Sequence, residues 1–91
     1  MTAIYPRSKK VETYEGWANR STWNVALWIN NDYNLYNAAC SFMQFNPDPK
    51  NPYKAFIWSQ NLIGERTPDG ISYWSTRLNY KELNDMMRDL A

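Results

Sequence analysis

Four residues, Trp17, Arg20, Trp23 and Asn24, carry the side chains best suited to gripping another molecule. On a helix, Arg20 lies one turn before Trp23 and Asn24. A guanidinium and an indole then share a face able to hold a partner's aromatic ring, carboxylate or phosphate. The same residues fit a structural role equally well, with the tryptophans in the core, Asn24 bonded to a neighbouring loop and Arg20 holding an acid such as Glu15 or Asp69. A second set, Glu82, Asp85 and Asp89, falls at i, i+3 and i+7 near the C-terminus. It reads as a divalent-metal or charge-recognition site or, more simply, as a solvated helix face.

Catalysis has little to work with. The chain of 91 residues has no histidine and one cysteine, Cys40. The commonest general base, the usual Cys/His zinc sites and a Cys–His nucleophile pair are thereby removed. Gly16, Gly64 and Gly70 are isolated from one another, so no phosphate-cradling glycine loop can form. The expectation is a non-enzymatic protein without metal or cofactor that works by binding.

The elements that must position these groups centre on residues 16–32, GWANRSTWNVALWINND. Residues 20–29 contain no Gly or Pro, and Asn19 or Ser21 is placed to cap the start, so this run predicts a helix. Apolar residues on all its faces make it the expected centre of a small bundle, with Trp17 folded back onto its first turn. Trp23 and Trp28 lie five residues apart and so on different faces. Of the two, Trp28 is the expected core residue and Trp23 the expected half-exposed one.

Helical spacing then predicts a second helix over residues 35–45, beginning near Asp32. A third follows over 52–62, capped by Asn51, started by Pro52 and ended by Gly64. A last helix is capped by Asn79 with Glu82 three residues on, close to a capping box. Between the third and the last, Thr67-Pro68-Asp69-Gly70 matches a type I turn. Residues 71–74 and 11–14 are candidate partners in a short two-stranded patch. The expected fold is therefore mainly α, about four helices around residues 20–29, as one domain over 16–91 behind an extended arm over 1–15.

A chain this short has to build its core from large side chains, and five Trp, seven Tyr and three Phe supply them. Those left over should sit half-exposed, where Trp and Tyr favour partner binding. The net charge of +1 argues against a strongly basic nucleic-acid binder. Arg7, Lys9 and Lys10 nevertheless make the first ten residues locally basic. No stretch has the length and apolarity of a membrane span or a signal peptide, so a cytoplasmic protein is expected. Cys40, set among Ala38, Ala39 and Phe42, is expected to be a buried small hydrophobe.

GWANRSTWNVALWINND, with TPDG at residues 67–70 and KELNDMM at 81–87, resembles a family of short, functionally uncharacterised proteins of bacteriophages, cyanobacteria and other bacteria. The resemblance runs from about Gly16 to the C-terminus. Relatives carry Glu in place of Ser21 and Glu-Gly in place of Tyr33-Asn34. It implies a phage-type accessory protein that binds and modulates or inhibits a host protein in the host cytoplasm. The alternative is a single-stranded nucleic-acid-binding module, with exposed aromatics stacked on bases and Arg7, Lys9, Lys10 and Arg20 along the backbone.

Overall fold

Asn19 starts the first helix. Its extended backbone lets the side-chain oxygen accept from the Thr22 N–H at 2.8 Å, supplying one of the partners that a helix start lacks. A computed structural model describes residues 14–46 and 49–91 of the chain. It contains four helices, α1 (Arg20–Asn31), α2 (Tyr33–Phe45), α3 (Pro52–Ser59) and α4 (Tyr80–Asp89). The mainly α, four-helix expectation holds. Most of the arm expected over residues 1–15 lies outside the described residues, as do Pro47 and Asp48 of the α2–α3 loop.

Asp32 ends α1 and caps α2 at once, its N–H donating to the Trp28 carbonyl and its carboxylate accepting from the Leu35 N–H at 3.0 Å. Such a one-residue joint brings α2 back along α1. Among the helices, α2 and α4 each lie against the other three, whereas α1 and α3 do not approach one another. The position expected for residues 20–29 is thus shared by α2 and α4. The apolar run is covered in two ways: Thr22, Val25, Ala26 and Ile29 form the stripe buried in the bundle, and Asn24 is buried on another side, beneath a loop. Trp23 and Trp28 fall outside both buried sets and are each half-buried, which corrects the assignment of Trp28 to the core.

The core is built from Val25, Ala26 and Ile29 of α1, Ala39 and Met43 of α2, Tyr53, Phe56 and Ile57 of α3, and Leu83, Met86 and Met87 of α4. Phe42 meets Phe56 edge-on with ring centres 5.7 Å apart, joining α2 to α3. Asn51 holds the cap position of α3 without a side-chain bond. The Tyr53 N–H instead donates to Asn84 Oδ1 of α4 at 3.0 Å, so a neighbouring helix supplies the cap. The Tyr53 hydroxyl donates to the Tyr73 carbonyl at 2.6 Å, and burial pushes its pKa well up, keeping it neutral. Lys54 lies over the Tyr80 ring at 4.7 Å from its centre.

Two helix ends depart from expectation for local reasons. Asn61, not Gly64, ends α3: it takes a left-handed conformation (φ 60°), with the Leu62 N–H bonded to the Ile57 carbonyl and the Asn61 N–H to that of Trp58. This is a Schellman closure, in which asparagine tolerates the left-handed position. At α4, Asn79 accepts from the Glu82 N–H at 3.0 Å as expected. The Glu82 carboxylate, however, turns outward to accept from the Ala18 N–H at 2.8 Å. The starts of α1 and α4 are tied together further by Asn79 N–H to Thr22 Oγ1 (2.9 Å) and Asn19 Nδ2 to the Arg77 carbonyl (2.9 Å). Cys40 is half-buried beside Tyr36 instead of enclosed.

The strand patch takes another form. Residues 11–13 lie outside the described residues, Tyr14 pairs with Trp17, and Ser72 pairs with Arg66. The Tyr14–Trp17 pair closes a two-residue turn in which Glu15 (φ 50°) and Gly16 (φ 88°) both have positive φ, the geometry of a type I′ hairpin turn. Glycine adopts this freely, but glutamate does so at a cost. Glu15→Asn is therefore expected to raise stability by about 0.5–1 kcal/mol, read from urea unfolding midpoints at constant slope. An unchanged or lower midpoint would count against the turn.

Candidate functional site

The turn at residues 67–70 is the front of a small hairpin. The Gly70 N–H donates to the Thr67 carbonyl and the Thr67 N–H to the Ile71 carbonyl, each at 2.8 Å, while Gly70 takes φ 92°. A type I turn followed by a left-handed glycine is what a hairpin with a one-residue bulge requires, and Pro68 and Gly70 stand at the positions that favour it. Arg66 Nη1 donates to the Gly70 carbonyl at 2.8 Å and steadies the tip.

This hairpin is clamped to α1 by side chains. Asn24 Nδ2 donates to Asp69 Oδ2 at 2.7 Å, the Trp28 indole N–H donates to the same oxygen at 2.9 Å, and the buried Thr67 hydroxyl donates to Asn24 Oδ1 at 2.6 Å. Arg20, Asn24 and Trp28, at i, i+4 and i+8, make one face of α1, and that face looks at the hairpin. The bond from Asn24 most of all, then that from Trp28, holds the Asp69 carboxyl below its ordinary range. The Arg20 charge adds to them and partial desolvation opposes them. Asn24 thus satisfies another segment, through that segment's side chains and not its backbone. Arg20 acts on Asp69 by its field; among the described residues the ion pairs are Lys81–Asp85 and Arg88–Asp85, both on α4.

Because the Asp69 pKa is lowered on folding, the stability it contributes is fully present above about pH 4, the unfolded value, and is lost as pH falls through the lower folded value. At pH 6 the parent is expected to melt above Asp69→Asn, and the gap should close on acidification. A gap that stays constant from pH 6 to pH 2 would show that the carboxylate's charge plays no part in the clamp.

The four residues singled out in the sequence do not gather into one patch. Asn24 is buried and structural, and Arg20 is exposed on the hairpin side. Trp23 is covered edge-on by Tyr14, ring centres 4.8 Å apart. Trp17 packs on the margin of the core and lines a groove against α4, on which Glu82, Asp85 and Asp89 also border. Among the described residues no three acidic or cysteine side chains stand close enough to hold a metal ion. No described helix is long and apolar enough to cross a membrane.

Side chains that the sequence reading passed over are the most exposed. Tyr33 and Phe45 of α2 and Trp58 of α3 present 78%, 79% and 72% of their surface to solvent. A signal existed for Trp58, which precedes Ser59, Gln60 and Asn61 and falls opposite Tyr53, Phe56 and Ile57 on the helix.

The fold and its surfaces define a small helical domain with a hairpin clamped onto its first helix. The chain belongs to the family of unknown function DUF7249, whose family model matches residues 10–91. Neither the curated proteins nor the solved structures contain a match to it.

Proposed function

We propose that this is a small non-enzymatic accessory protein, phage-encoded or phage-related, that binds and modulates or inhibits a host protein in the host cytoplasm. The observation that carries the reading is the exposure of Tyr33, Phe45 and Trp58 in a chain whose other large aromatics are at least partly covered. Leaving such side chains in water forgoes the burial that a small domain needs, and Trp and Tyr are the residue types that dominate binding energy at protein interfaces. The distribution implied by the sequence motif supplies the phage and host context.

A protein partner is favoured over single-stranded nucleic acid. Arg7, Lys9 and Lys10, on which that alternative leans, lie outside the described residues, and the groove beside Trp17 is bordered by acids. The test is capture from host lysate at physiological salt, with the parent and a Phe45→Ala, Trp58→Ala double variant side by side. One stoichiometric partner, retained by the parent and released by the variant, is the expected result. Capture of nothing, or equal capture by both, would overturn the reading. Tryptophan quenching by an oligonucleotide that weakens steeply with salt would put nucleic acid in its place.

A further inference from the structure

We propose that the groove between the Tyr14–Trp17 turn and α4 recognises an arginine side chain presented by a basic segment of a partner protein. The groove has a volume of about 420 Å³. The half-buried Trp17 forms one wall. On the other, α4 presents Glu82, Asp85, Met86, Asp89 and Leu90, a single helical face at i, i+3, i+4, i+7 and i+8. Met86 and Leu90 make that face apolar between its carboxylates. All charged side chains lining the groove are acids.

An indole beside carboxylates on an apolar surface is the combination that suits a guanidinium. Its plane stacks on the ring, its N–H fork meets carboxylate oxygens, and its methylene stem lies on methionine and leucine. A lysine ammonium would use the charge but not the stacking or the fork. The carboxylates are not equally available. Asp85 is already engaged by Lys81 at 3.0 Å and by Arg88 at 3.4 Å, and one oxygen of Glu82 accepts from Ala18. Asp89, exposed at the open end, is the principal charge for the ligand, with the second oxygen of Glu82 behind it. The wall is held in advance: the paired backbone bonds of Tyr14 and Trp17 (2.7 and 2.8 Å) and the Ala18–Glu82 bond fix where Trp17 stands against α4. The site uses none of Tyr33, Phe45 and Trp58, so it stands or falls independently of the surface proposed above.

The test is titration of the full chain with a capped Gly-Arg-Arg-Gly peptide, followed by NMR at the Trp17 indole N–H and the backbone amides of residues 82–90. The expected result is a saturable shift confined to these signals and to residues 16–18, with affinity that falls as salt rises. Asp89→Asn should weaken the peptide roughly two- to fivefold, the worth of one exposed charge pair, while melting with the parent. The lysine peptide should bind less tightly. Shifts elsewhere on the chain, equal shifts from a Gly-Glu-Glu-Gly peptide, or no change with Asp89→Asn would overturn the assignment. A variant with Arg7→Gln, Lys9→Gln and Lys10→Gln provides a further arm. If those changes alone move the Trp17 and Asp89 signals in the absence of peptide, the chain's own basic residues occupy the groove, and the partner proposal fails.

Discussion

Phe56→Ala is expected to destabilise the protein by about 3–5 kcal/mol, the range for truncating a buried phenylalanine. Phe56 is fully enclosed, meets Phe42 edge-on and shares the core with Ile57, Leu83 and Met87. Few other side chains join α2, α3 and α4 in this way. A domain of this length holds roughly 5–14 kcal/mol in all, so the loss is a large share of the total. At about 4–8 °C per kcal/mol, the melting temperature should fall by more than about 12 °C. Trp58→Ala, two residues along α3, removes a larger side chain. It should change stability by no more than about 0.5 kcal/mol, because that side chain lies mostly in solvent. Thermal unfolding of the two variants side by side checks the docking of α3: similar losses in both would mean that the helix presents a different face to the core.

Asn24→Ala is the second large effect, about 2–3 kcal/mol, although it removes no apolar surface. Asn24 is fully buried and bridges two groups of the hairpin, accepting from the buried Thr67 hydroxyl and donating to Asp69. Alanine leaves the Thr67 hydroxyl without its acceptor, opens a small void and frees the hairpin from α1. Combining Asn24→Ala with Thr67→Val should therefore cost less than the sum of the two single changes, since the second removes the group that the first strands. Strictly additive losses would show that the two side chains do not act together. Trp28→Ala should cost less, about 1–2 kcal/mol, because the ring is half-buried and its chief specific contact is one hydrogen bond. On sequence grounds alone it would have ranked above both, at about 3–5 kcal/mol.

That reversal shows where the sequence was legible and where it was not. Helices leave local marks. Asn19, Asp32 and Asn79 are caps because their side chains reach N–H groups three residues on, and the start of α3 at Pro52 follows from a missing N–H. The turn at 67–70 is written just as locally in Pro68 and Gly70. These features depend on residues within one turn of each other, so composition and spacing suffice to find them.

Burial of the tryptophans and the fate of the polar groups are settled over distance. Nothing near Trp28 announces that its indole N–H meets an aspartate 41 residues away, or that Asn24 reaches 43 and 45 residues to Thr67 and Asp69. The sequence by itself determined four helices, most of their ends and the turn, through short-range hydrogen bonding and helical periodicity. Only the tertiary structure decided which helices hold the middle, which aromatics remain in water, and that Asn24 is a clamp while Trp17 is the wall of an acidic groove. An apolar or amide side chain records what it can bond or exclude, whereas the surface that covers it comes from the packing of segments far away in the chain.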